Sequence, residues 1–160
     1  MPGEISVTGR PPAQSPPISL TSRAMRAVFP GSFDPATKGH LDVARRAAGM
    51  FDEVVMCVLT NPRKTGRLAL AGRLALLADM TSNLANVTVD SSAGRLLVDY
   101  CRGAGIGVIV RGLRSLGDLE HELPMAEMNR HLNGIETLFL PTNPTQAHIS
   151  STLISAVAQR

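Results

Sequence analysis

A chain of 160 residues, 44% hydrophobic and 18% charged, can build one domain with a sizeable core and is too short for two ordinary ones. Its net charge is +3, but the basic residues are scattered and only five aromatics are present, four Phe and one Tyr, too few for a platform that stacks single-stranded bases. Nucleic-acid binding is therefore not the expected function, and phosphate chemistry accounts for the positive balance equally well. No secretory apolar stretch opens the chain and no apolar run could span a bilayer, so the cytoplasm is the expected compartment and no membrane partner is expected. Cys57 and Cys101 lie inside apolar runs without CxxC spacing and read as small buried hydrophobes.

Residues 1–24 hold five of the eleven prolines among Ser, Thr and Gly, a composition that predicts a disordered leader. Met25 stands immediately before the first apolar run, so residues 25–160 are read as the folded domain. From there, short apolar runs alternate with amphipathic stretches. Strands are expected at Ala27–Phe29, Glu53–Leu59, Val87–Val89, Gly107–Val110 and Thr137–Leu140. Helices are expected at about 39–50, 69–83, 94–103 and 118–133, with a last one from about 150. This β-α alternation argues for an α/β fold, a Rossmann-like doubly wound five-stranded parallel sheet. With one reversal of winding the strand order is 3-2-1-4-5, and a ligand crevice opens between the C-terminal ends of strands 1 and 4.

The first strand runs into Pro30-Gly31-Ser32-Phe33-Asp34-Pro35, and Thr37-Lys38-Gly39-His40 follows at a helix start. Strand, tight turn and helix N-terminus together offer backbone N–H groups and a positive dipole end to a phosphate. His40 reads either as a polar cap or as an anion-facing donor. Ser32 lacks the second glycine of a G-x-S-x-G elbow and is not expected to be a nucleophile; Asp34 is expected to fix its own turn. After strand 4 come Arg111-Gly112-Leu113-Arg114, two arginines suited to bidentate phosphate contacts or else simply solvated. Lys64 follows strand 2, with reach to the crevice or a mobile surface role. His148-Ile149-Ser150-Ser151-Thr152 precedes an apolar-periodic segment and reads as a helix cap or a second phosphate-holding N-terminus. Gly103 to Gly107 precede a strand and are not a dinucleotide fingerprint.

Taken together, Pro30 to Pro35, Thr37-x-Gly39-His40, Asn61-Pro62-x-Lys64, Arg111 to Arg114, Asp118-x-Glu120-x-Glu122, Met128-Asn129-Arg130-His131 and Ile149-Ser150-Ser151-Thr152 resemble bacterial phosphopantetheine adenylyltransferase. The match runs in order from Met25 to Arg160. The resemblance implies transfer of AMP from ATP to the 4′-phosphate of phosphopantetheine, with Mg²⁺ as cofactor and a homo-oligomer, a hexamer, as the assembly. It implies ATP contacts from Ser32, Phe33, His40, Gly112, Leu113, Arg114, Glu122 and the run Gln146, Ala147, His148, Ile149, Ser150, Ser151 and Thr152. Phosphopantetheine would be held by Ser32, Lys64, Leu97 and Arg111, and His40 would stabilise the transition state. No residue-borne metal site is implied. A phosphate nucleophile needs no general base near neutral pH, so what the site must supply is positioning and charge stabilisation.

The chain departs from the family at several positions. Aromatics usual near Gln146 and at His148 are missing, as are the acidic residues usual at Ala71-Gly72, and Pro124 falls where the family continues a helix. A further C-terminal helical segment of the family has no counterpart up to Arg160. Two competing readings follow, a catalytically weakened nucleotide-binding relative and a nucleotidylyltransferase for another phosphate substrate.

Overall fold

In the computed structural model, residues 24–142 are described; the leader up to residue 23, the Gln146 to Thr152 segment and the expected last helix lie outside the described residues. The five expected strands all form, as β1 (Arg26–Gly31), β2 (Glu53–Thr60), β3 (Val87–Ala93), β4 (Val108–Leu113) and β5 (Glu136–Pro141). They pair in parallel in the order β3-β2-β1-β4-β5. The helices between them are α1 (Lys38–Ala48), α2 (Leu70–Met80), α3 (Leu97–Ala104) and α4 (Leu116–Asn133).

Successive residues of a strand face opposite sides of the sheet, and both sides here are covered. On β2, Val54, Met56 and Val58 point to one side, where they pack with Phe29 of β1, Val43, Ala44 and Ala47 of α1 and Leu77 of α2. Val55 and Cys57 point to the other side, with Val28 of β1, Val98 and Cys101 of α3 and Ile109 of β4. The near-continuous apolar runs of β1 and β2 are what a strand buried on both faces requires. Cys57 and Cys101 are free and buried, as their sequence setting predicts.

Several boundaries differ from expectation. Strand β4 extends through Arg111, Gly112 and Leu113, because these residues pair with Phe139, Leu140 and Pro141 of β5. Strand β3 continues past Val89 through Asp90, Ser91 and Ser92, poor strand formers tolerated because β3 is a sheet edge and β2 supplies partners as far as Thr60. Helix α3 begins at Leu97, since Gly94 takes a left-handed φ of 65°. Helix α4 begins at Leu116, where the Ser115 side chain accepts from the Asp118 N–H. Pro124 sits inside α4, which continues to Asn133. Helix α2 has no side-chain cap at Ala69 and no acidic residue in its first turn, the weak start its sequence predicts.

At the crevice end of β4, glycine is required by close approach. A Cβ on Gly112 would lie 3.0 Å from Val43 Cγ2 of α1 and 3.4 Å from Thr142 Cγ2. Gly112→Ala should therefore destabilise by about 1–3 kcal/mol, the usual cost of overpacking, read as a lower urea midpoint at constant m. The same substitution in a Val43→Ala background should cost less.

Candidate active site

The turn after β1 is shaped by packing beneath it. Phe33 adopts a left-handed φ of 46° and its ring is buried, meeting Phe29 edge-on at 5.4 Å and His40 edge-on at 5.1 Å. Gly31 lets that ring fold back, because a Cβ there would stand 3.1 Å from Phe33 Cζ. Phe33 thus lines the crevice and supports His40 with its ring. Asp34 does not fix its own turn as expected. Its carboxylate accepts from the Arg67 N–H at 2.6 Å and the Leu68 N–H at 2.8 Å, tying the turn to the segment that enters α2.

Thr37 caps α1 reciprocally with His40. The Thr37 side chain accepts from the His40 N–H, and the Thr37 N–H donates to His40 Nδ1 at 2.9 Å. Nδ1 is therefore an acceptor, and in the neutral ring the proton sits on Nε2. Burial first, then the charges of Arg114 and Arg111, push the His40 pKa down to about 4. His40 is thus the cap, one of the two readings its sequence position left open, and it also lines the crevice. The first turn of α1 has no acidic residue and begins with Lys38, an arrangement that leaves its dipole end open to an anion.

Opposite stands the end of β4 with the start of α4. Arg111 pairs with Glu122 through Nε at 2.8 Å and through Nη2, while its Nη1 donates to the Pro30 carbonyl at 2.6 Å. Arg114 pairs with Asp118 through Nε and Nη2, both at 3.0 Å, and this raises the Arg114 pKa and lowers that of Asp118. A cavity of about 250 Å³ lies between the two walls, lined by Ser32, Phe33, Gly39, His40, Arg111, Gly112, Arg114, Asp118 and Glu122 among others. A second cavity of about 280 Å³ adjoins it, lined by Leu59, Leu97, Ile109, Met125, Asn129 and Thr137. Pro30, Arg111 and Glu122 line both, so Arg111 stands at their junction.

The structure thus brings Ser32, Phe33, His40, Arg111, Gly112, Arg114 and Glu122 together, with Leu97 in the second cavity. Leu113 closes β4 and accepts the Thr142 N–H at 2.7 Å. Lys64 is not brought to either cavity: it sits exposed in a turn in which its N–H donates to the Asn61 carbonyl. Residues 146–152 lie outside the described residues. Sequence reading passed over Asp118 as a site residue, although its i,i+4 spacing to Glu122 puts both carboxylates on one face of α4.

Comparison with known proteins bears on this geometry. Residues 28–157 match the family model described as cytidylyltransferase-like. The chain is 53% identical over 135 residues to a phosphopantetheine adenylyltransferase of Corynebacterium diphtheriae, covering 84% of each chain. It is 49% identical over 133 residues to that of Streptomyces coelicolor, covering 83% of each. The chain belongs to the phosphopantetheine adenylyltransferase family. Members are nucleotidyltransferases of coenzyme A biosynthesis. A bifunctional NMN adenylyltransferase/ADP ribose pyrophosphatase from Francisella tularensis shares the fold with a TM-score of 0.64 at 14% identity, covering 84% of this chain and 42% of that one. Among the described residues no helix is long and apolar enough to cross a membrane.

The depressed pKa of His40 has a defined sign. The unfolded chain takes up the proton near the ordinary His pKa of about 6.5 and the folded chain only near 4, so between those values the unfolded state binds more protons. His40 thus supports the fold fully above about pH 6.5, and that support is lost as pH falls toward 4. An NMR titration of the ligand-free protein should find one imidazole that stays neutral down to about pH 5. Replacement of His40 by Gln should remove that resonance and flatten the acid limb of the stability curve.

Proposed function

We propose that the chain transfers AMP from ATP to the 4′-phosphate of phosphopantetheine in the cytoplasm. An oxygen of the acceptor phosphate bonds to the α-phosphorus of ATP as the bond from that phosphorus to the β-bridging oxygen breaks. Pyrophosphate leaves, and dephospho-coenzyme A is the other product. The observation that carries the reading is the junction at Arg111, a cation shared by a polar cavity and a more apolar one. An adenine nucleotide suits the first. The second suits an acceptor with a phosphate at one end and a long, weakly polar arm, with Leu97 against the arm.

In this reading His40 donates its Nε2 proton as a hydrogen bond to the α-phosphate and takes no proton from the acceptor, whose phosphate is already ionised. The N–H groups opening α1 and the guanidinium of Arg114 meet the remaining phosphate charge. Preorganised donors of this kind stabilise charge that builds up in the transition state. Arg111 orients the acceptor phosphate in line. Ser32 lies at the meeting of the two substrates, and residues Gln146 to Thr152 complete the nucleotide site by family resemblance. Mg²⁺, a hard, oxygen-seeking ion, would accompany ATP and supply neutralisation of phosphate charge. Asp118 and Glu122 are each engaged by an arginine, a donor set that does not fit an ion held by protein alone.

Self-association belongs to the same proposal, as a hexamer by family resemblance. Helix α4 has eighteen residues, of which only Asn129 is buried, while Met125, Met128 and Leu132 form an exposed stripe three and four residues apart. A second copy of the chain would cover that stripe.

Purified protein given ATP, Mg²⁺ and phosphopantetheine should release pyrophosphate, and His40→Ala should still fold despite its lost cap, while turnover falls by about 10²–10³. Nucleotide binding without release would favour a weakened relative, and release only with another acceptor would point to a different substrate. Sedimentation should give a mass several times 17.0 kDa, falling with Met128→Asp; a wild-type monomer would refute the assembly.

A further inference from the structure

Arg73 stands on the buried face of α2, one turn before Leu77, where the apolar stripe calls for a Leu or Met. It is 8% exposed. Its Nη1 donates to the Ser32 carbonyl at 3.0 Å, and its Nε is buried with no hydrogen-bond partner. Among the described residues it forms no ion pair. Across Gly66 lies Asp34: a Cβ on Gly66 would stand 3.1 Å from Asp34 Oδ2 and 3.4 Å from Arg73 Nη2. Yet the Asp34 oxygens already accept the Arg67 and Leu68 N–H groups.

A buried cation without a paired anion is costly, and an apolar side chain of similar volume would pack there more favourably. The one polar contact it makes shows its use. The Ser32–Phe33 peptide is trans, so its C=O and N–H point in opposite directions. Arg73 draws the carbonyl down toward α2, and the Phe33 N–H is thereby turned away from α2. Ser32 and Phe33 line the nucleotide cavity and Arg73 does not. No hydrogen bond among the described residues engages that N–H.

We propose that Arg73 is a positioning residue for adenylyl transfer, which holds the Ser32–Phe33 peptide so that its N–H faces the reacting phosphate and sets an unpaired positive charge beneath the turn. The inference rests on the reaction proposed above and adds to it a residue that touches neither substrate.

The test is steady-state pyrophosphate release by wild type, Arg73→Met and Arg73→Lys, with fold checked by circular dichroism and urea unfolding. Arg73→Met should lose about 10²-fold in kcat, the scale of a misplacement outside the chemistry, while KM for phosphopantetheine stays within about threefold. Arg73→Lys keeps the charge and a donor for the Ser32 carbonyl and should regain at least about tenfold of that loss. Arg73→Met turning over within about threefold of wild type would overturn the proposal, as would Arg73→Lys falling as far as Arg73→Met. Should Arg73→Met fail to fold, Arg73→Gln takes its place under the same two criteria. Absence of release from wild type would overturn the reaction itself, whereas wild-type release with an unaffected Arg73 variant overturns only the role of Arg73.

Discussion

The winding of the sheet reverses between β1 and β4, and the site depends on that reversal. On one side of it β1 leads through the glycine turn into α1; on the other β4 leads through Ser115 into α4. The two following helices start on either side of a gap that neither covers, as at other switch points of open α/β sheets. One wall therefore receives a helix N-terminus with its unpaired N–H groups and the other receives Arg111 and Arg114. Moving either strand to another place in the order would separate the two halves of the site.

What the sequence made legible was the part set by short-range patterning. The apolar runs of β1 and β2 are buried on both faces and could hardly be other than central parallel strands. The turn at Gly31 and the helix start at Thr37 carry their chemistry within a dozen residues. Arg111 and Glu122, eleven residues apart, were both legible as site residues, though not as a pair. Long-range contacts were not readable. Asp34 resembles a turn residue, but its partners lie more than thirty residues on; Lys64 resembles a crevice cation, but its loop holds it outside. Arg73 gave a sign that went unread, a charged residue where the helical period demands an apolar one.

The polar groups of the site are held before any ligand arrives. Thr37 fixes the His40 tautomer from one side while the Phe33 ring supports it from below. Glu122 and the Pro30 carbonyl fix Arg111 in three bonds, and Asp118 fixes Arg114 in two more from its side chain. Little reorganisation is left to be done at the moment of transfer, which is the condition under which fixed dipoles and charges act most strongly on a transition state. The apolar residues under the turn, though they touch no phosphate, are part of the same machinery.

The pairing of Arg111 with Glu122 and of Arg114 with Asp118 also governs how a nucleotide approaches. Among the described residues that line the cavity, two cations stand against two carboxylates with His40 neutral, so that lining is close to electrical balance. Such a lining adds little field of its own, and the attraction a polyanion feels at a distance is left to Arg73 beneath the turn and to the basic chain as a whole. Discrimination takes place on contact, among molecules whose phosphate oxygens fit the donors already held in place. The chain as a whole draws anions, and this pocket selects among them by short-range fit.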